Sequence, residues 1–395
     1  MKTPAELIRA EILAQGPLAF ARFMEIALYA PQTGYYERQR ENVGRAGDFY
    51  TSVSTGELFG ELLAFQFANW LSELPKNGQC PVQIVEAGAH DAKLARDILS
   101  WLRSHRPELF SRLEYCVLEP SPVRQSWQQE TLKDFANVRW IDAPLATLPG
   151  RFNGVLFGNE LLDAFPVHRY GWDAAAKKWF EWAVTLDGEA FVWTKLSDPQ
   201  PVSVSDSHFA LRASYLESIS DLPSSVPSSN FALRTSPFEL PSALLAVLPN
   251  NYTIETSPAA EAWWRDAAGA LAQGRLMALD YGFTADDLIS PGRTRGTLRA
   301  YSRHHVGDDL LAHVGEQDLT AHVNFSAIQA AGEAAGLQTR SFSTQTRFLT
   351  RILEQTLADP AKTFGDWTPR RARQFQTLTH PEHLGRAFQV LVQSK

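Results

Sequence analysis

The sequence has little cysteine: Cys80 and Cys116 are the only two in 395 residues. They make neither a disulfide framework nor a CxxC metal motif, and their scarcity suits a reducing compartment. Long apolar runs are missing as well. Nothing approaches the roughly 20 consecutive apolar residues that span a bilayer, so no membrane role is expected. The opening "MKTPAELIRAEILAQGP" alternates charged with apolar residues and lacks the unbroken apolar core of a signal peptide. A cytoplasmic location is the expectation. No lysine/arginine run stands out, and the formal net charge is −7. Binding to nucleic acid, which rests on neutralising phosphates, is therefore disfavoured.

What is present is the composition of a globular chain: 44% hydrophobic, 21% charged, with 11 Trp and 23 Phe to fill a core. The first 80 residues read as helical at 4–14, 18–28 and 56–74, with a Gly-rich loop, "YAPQTGYYERQRENVGRAGDFYTS", before the last of these. From residue 82 strand-like and helical segments alternate: "VQIVEAG", "AKLARDILSWLRSH", "LEYCVLEP", "SPVRQSWQQETLKDF", "VRWID" and "GVLFGNEL". That rhythm predicts βαβ units and a parallel sheet in an α/β fold. It breaks at residues 171–255, where "KKWFEWAVTLDGEAFVWTKL" carries a hairpin signal at Asp187-Gly188 and a Ser/Pro-rich loop follows. This stretch is read as an insertion dividing one α/β domain into 81–170 and 256–395, behind a helical region 1–80. The aromatic hairpin at 179–193 offers an interface for a homodimer. "QTRSFSTQTRFL" is read as strand, "HPEHL" as a helix start, and the final "LGRAFQVLVQ" as helix.

In such sheets ligands bind beyond the carboxyl ends of the strands, at the switch point. The first strand here ends at Glu86-Ala87-Gly88, the second at Glu119, the third at Asp142 and the fourth at Asn159-Glu160. Polar termini in a row exceed what a buried sheet needs. Glu119 is placed to accept from ribose hydroxyls and Asp142 to meet an adenine amino group. A dinucleotide would bring a pyrophosphate, which wants G-x-G-x-x-G opening a helix, and that pattern is absent. S-adenosylmethionine has no phosphate, so the pattern favours it as cofactor. The loop is nonetheless short of glycine. Counting from Gly88, the G-x-G-x-G positions fall on His90 and Ala92. A non-glycine residue at positive φ costs roughly 1–2 kcal/mol, which a large domain tolerates.

Several segments resemble the MidA-like family of S-adenosylmethionine-dependent methyltransferases: "FMEIALYAPQTGYY", "GDFYTS" with "LFGELLA", "GNELLDAFPVHRY", "LDYGF", "RGTLRAY", "DLTAHVNF" and "LGRAFQVL", in the family's order and over nearly the whole chain. The resemblance implies a class I, Rossmann-like methyltransferase sheet with a helical N-terminal region and an inserted β-containing subdomain. It also implies methyl transfer to a protein arginine, the activity associated with the mitochondrial members. Two segments depart from the family pattern. The first loop reads "EAGAHDAKL" where the family has E-L-G-P-G-R-G-T-L, which bears on the cofactor. Val53-Ser54 stands where Pro-Glu is usual, which bears on the substrate.

Methyl transfer from a sulfonium is an in-line displacement that needs a held acceptor and a proton sink. An arginine acceptor, with a pKa above about 12, needs carboxylates to orient it. Glu160 and Asp163 are best placed, with Asp48 a third, and His322 is a candidate base or substrate contact. Gly47, Asp48, Phe49, Thr51 and Ser52 form a candidate lid over a cofactor held by Glu86, Gly88, His90, Glu119, Asp142 and Asn159. The bland alternatives are a helix N-cap for Asn159, a first-turn acid for Asp163 and a satisfied core histidine for His322. His304, His305, His313 and His322 match no metal-ligand spacing, so no metal is expected. A protein substrate is expected, with a small molecule as the alternative. A further rival is a cofactor-poor assembly or interaction factor.

Overall fold

The computed structural model describes residues 1–38, 51–74, 81–196, 240, 242–302, 305–307, 309–381 and 384–395. The predicted alternation folds into one central sheet. Its first four strands are Val82–Ala87, Leu113–Leu118, Val138–Ile141 and Phe152–Asn159, and the fifth is Leu271–Phe283. The sixth and seventh are Gln338–Thr344 and Phe388–Ser394. Across the sheet the order is third, second, first, fourth, fifth, seventh, sixth. All pairings from third to fifth are parallel, and the seventh runs antiparallel to both its neighbours. The strand order reverses between the first and fourth strands, so the crevice there is where a ligand belongs.

The strands read as near-continuous apolar runs because helices cover both faces. Ile84, Tyr115, Phe157 and Met277 pack on one side under the helices Leu58–Glu73, Lys93–His105 and Gln345–Ala358. Val85, Cys116, Leu156 and Ala278 pack on the other under Pro258–Ala270 and Phe325–Ala334. Helix starts follow local chemistry. Thr3 and Glu6 form a capping box before Pro4–Gln15, and Ser121, Ser257 and Asn324 accept from backbone N–H groups at later starts. Gly154 and Gly274 let three strands approach: a Cβ on Gly154 would lie 1.9 Å from the Gln83 carbonyl oxygen, and one on Gly274 1.8 Å from that of Gly154.

Between the fourth and fifth strands the chain builds a separate antiparallel sheet from His168–Asp173, Lys178–Asp187, Ala190–Leu196 and Thr253–Thr256. Leu18–Ala19 of the N-terminal region adds a short strand to it. The hairpin turns at Gly188-Glu189, with Asp187 opposite Ala190. A third, small sheet joins Arg299–Ser302, His305–Gly307 and Asp318–Thr320.

Three readings change. The final apolar segment is a strand, Phe388–Ser394, rather than a helix. Buried on both faces, it lacks the alternation that separates strand from helix in so short a run. The stretch "QTRFL" opens the helix Gln345–Ala358, started by Thr344, whose hydroxyl accepts from the Arg347 N–H. His380 and Pro381 follow the helix Pro369–Thr379 and Leu384–Arg386 are turn, so no helix starts among the described residues of that stretch; Glu382 and His383 lie outside them.

Candidate active site

The loop after the first strand resolves the glycine question. Gly88, His90 and Ala92 all have left-handed backbones, at φ 73°, 46° and 62°. The chain thus follows the path of a G-x-G-x-G loop with two side chains added, at the cost estimated above for each. Gly88 is exposed toward the crevice, and the helix Lys93–His105 begins directly after the loop. Asp91 is held by Lys93, whose ammonium lies 2.7 Å from its carboxylate.

Gln128, fully buried on the helix Pro122–Thr131, ties this loop to the second strand. Its amide donates to the His90 carbonyl at 3.1 Å and to Glu119 Oε2 at 2.9 Å. Glu119 Oε1 accepts from the Ser121 N–H at 2.9 Å and from Arg124 at 3.0 Å. These bonds use three of a carboxylate's roughly four acceptor positions and leave one for a hydroxyl. Arg124 also lies 3.7 Å from Glu37, which accepts from the Ser121 hydroxyl at 2.7 Å. The N-terminal region is thereby fastened to the second strand's end. The Glu119 N–H bonds to the Ile141 carbonyl, which sets exposed Asp142 alongside.

Glu86 stands apart from this edge. It lies on the sheet face under the helices Leu58–Glu73 and Lys93–His105, where its carboxyl accepts from the Tyr115 hydroxyl at 2.7 Å. Burial pushes it up to about 7.

At the fourth strand, Asn159 Oδ1 is buried with no hydrogen-bond partner among the described residues. An orphaned buried acceptor costs about 1–3 kcal/mol unless a ligand donor meets it. No helix follows Asn159; the chain turns through residues 160–167 into the second sheet. Glu160 has a left-handed backbone, φ 49°. Its carboxyl accepts from the Asn159 amide at 3.3 Å, and burial, then the charge of Asp163, pushes it up to about 8. Ser52 is fully buried and donates to Gln345, while Thr51 closes a turn with Ser54. Gly47, Asp48 and Phe49 lie outside the described residues.

Asp163 is buried, and burial, then the charges of Asp280 and Asp318, raises it well above the usual carboxylate range. Neither Asp280 nor Asp318 was singled out from sequence. Asp280 ends the buried stretch of the fifth strand, so the rule that picked out Glu119 applies to it too. Burial pushes it up to about 7, against the pull of the Leu162 N–H. Tyr36 donates to Asp318 at 2.7 Å, and Tyr29 donates to the Ala164 carbonyl at 3.0 Å. His322 stacks on Phe283, with ring centroids 4.8 Å apart, and burial lowers it to about 4, so it is neutral at pH 7. The preceding residue, Ala321, bonds to the Asp163 carbonyl, which brings this segment to the cluster.

The crevice therefore offers a left-handed loop, an acid with an acceptor position to spare, and an orphaned amide oxygen, with buried carboxylates beyond. S-adenosylmethionine, a cation with a ribose, an amino group and a carboxylate, fits that donor and acceptor set. Comparison with known proteins agrees. The profile of a family of S-adenosyl-L-methionine-dependent methyltransferases matches residues 62–343. A crystal structure from Burkholderia thailandensis, bound to S-adenosyl-homocysteine, is 31% identical with a TM-score of 0.76, covering 99% of this chain and 92% of that one. The Drosophila melanogaster protein named protein arginine methyltransferase NDUFAF7 homolog, mitochondrial, is 29% identical over 354 residues, 84% of this chain and 70% of the relative. The Homo sapiens protein arginine methyltransferase NDUFAF7, mitochondrial, is 27% identical over 352 residues, 83% of this chain and 68% of the relative. The chain belongs to this family of S-adenosyl-L-methionine-dependent methyltransferases, and its Rossmann-like sheet is that of an enzyme using this cofactor.

Proposed function

We propose that this enzyme methylates a cationic nitrogen on a protein side chain, with arginine as the acceptor. The observation that carries the reading is the buried carboxyl pair Glu160 and Asp163, beside Asp280, whose oxygens are taken up by backbone N–H groups, with Asp318 within the field of the cluster. Among the described residues no lysine or arginine forms an ion pair with the first three. Carboxylates buried without a cation are costly and take up protons instead. A guanidinium entering the cluster supplies the missing charge, and its planar fork suits paired carboxylates. Relatives named as protein arginine methyltransferases support the same acceptor.

The bound cofactor supplies the electrophilic methyl group. In this reading Glu119, Asp142, Asn159 and the loop at Gly88, His90 and Ala92 bind it. Glu160 and Asp163 orient the acceptor and share its charge: the entering guanidinium favours their ionised forms, and ionised Glu160 is placed to take the released proton. Tyr29 and Tyr36 wall the cluster from the N-terminal side. His322, neutral and stacked on Phe283, lines the far side.

The test is incubation of the full-length protein with isotopically labelled S-adenosylmethionine and a panel of arginine-, lysine- and histidine-containing peptides, beside small amine and hydroxyl nucleophiles. Label on arginine, lost in Glu160→Gln, is the expected result. Label on a small nucleophile alone would replace the reading. Calorimetry with S-adenosylhomocysteine, repeated with Glu119→Gln, separates a missing cofactor site from a wrong acceptor.

A further inference from the structure

The turn after the fourth strand carries two of the proposed acceptor-binding carboxylates, yet the fifth strand holds it. The N–H groups of residues 160–163 all point at two residues of that strand. Glu160 donates to the Leu279 carbonyl at 2.9 Å. Leu161, Leu162 and Asp163 donate to one oxygen of Asp280, Oδ2, at 3.0, 2.7 and 3.3 Å. The other oxygen, Oδ1, accepts from the Tyr281 N–H at 2.8 Å. Successive N–H groups converging on an anion form a nest. Here the anion is a side chain that is 1% exposed. Left-handed Glu160 sits at the head of the nest, and such a backbone persists only where its surroundings over-determine it.

We propose that Asp280 is a positioning residue for methyl transfer: by gathering three consecutive amide hydrogens it fixes the turn that carries Glu160 and Asp163 directly after Asn159, and so sets the acceptor-side carboxylates against the cofactor-side amide. This rests on the methyl-transfer reading above. Asn cannot substitute for Asp280, because one of its two terminal atoms is an NH₂. Either the turn amides or the Tyr281 N–H would then face a donor.

The experiment is hydrogen–deuterium exchange by mass spectrometry on the full-length protein, over peptides covering 158–166, with S-adenosylhomocysteine titrated in parallel. In the wild type the 161–163 amides exchange as slowly as those of the fifth strand. In Asp280→Asn exchange over 158–166 rises at least tenfold while Val82–Ala87 and Leu113–Leu118 stay protected, and S-adenosylhomocysteine affinity falls about tenfold. Adding Glu160→Gly to that variant restores part of the protection, since glycine takes the left-handed backbone without strain. Fast exchange of 161–163 in the wild type would overturn the proposal, as would an even loosening of the whole sheet in Asp280→Asn or no local change at all. Should the single variant fail to fold, the wild-type exchange and the double variant decide. A wild type that binds no S-adenosylhomocysteine would instead overturn the methyl-transfer reading and leave the exchange result standing.

Discussion

The Tyr36 hydroxyl donates to Asp318 Oδ1 at 2.7 Å, across 282 residues of chain. The short helix Tyr35–Arg38 is thereby joined to the small sheet beside the acidic cluster. Tyr36→Phe keeps the ring and deletes this bond to a carboxyl oxygen, a loss of about 0.5–1.5 kcal/mol. Urea unfolding of the variant is expected to show a lower midpoint with an unchanged slope. An unchanged midpoint would mean that the bond contributes nothing in solution.

His90 and Ala92 make different predictions although both are left-handed. His90→Gly relieves backbone strain but loses the ring's contacts with Asp91, 3.7 Å away, and with Trp127, so it should stabilise the protein by no more than about 0.5–1 kcal/mol. Ala92 is fully buried, so Ala92→Gly also removes a packed methyl worth about 0.8 kcal/mol and should be near neutral. Thermal unfolding of the two variants side by side checks the ordering.

Arg124 compensates two buried carboxylates, Glu119 and Glu37. Arg124→Ala strands both charges and should destabilise by about 3–5 kcal/mol. Glu37→Gln in the same chain should recover part of that loss. A double-mutant cycle reading no coupling would show that Arg124 serves Glu119 alone.

Stability should fall as pH rises from about 5 to about 8.5. Glu160, at about 8, and Glu86 and Asp280, at about 7, bind protons more tightly folded than unfolded. Their contribution is complete below the ordinary carboxylate range near 4 and is lost as pH passes the raised values. Melting temperature against pH is the measurement, and Glu160→Gln should flatten the upper part of the decline. An arginine peptide should show the reverse trend, binding more tightly as these groups ionise.

The parallel strands were legible because doubly covered strands are nearly all apolar, and their polar ends stand out against that background. By the same token the buried acid Glu119 stands out from its position alone, directly after the second strand. The left-handed course at His90 and Ala92 was legible as spacing from Gly88. Asp280 was missed although its strand end obeys the same rule, because its work is done on a turn more than a hundred residues earlier. Gln128 gives no sequence signal, being one polar residue among several on a helix, and only its burial sets it apart. The final strand was misread because a short run buried on both faces has no period to read.

The seventh strand lies between the fifth and the sixth, yet it follows both in the chain. During folding, the Arg275–Tyr281 edge must wait for residues 388–394 with its hydrogen-bonding groups unmet. A collapsed intermediate at that stage exposes the apolar edge of a half-built sheet, the surface through which chains join to one another. Substitutions that weaken residues 388–394 should therefore appear first as aggregation during refolding, with rates that climb with protein concentration, before any defect is seen in molecules that have finished folding.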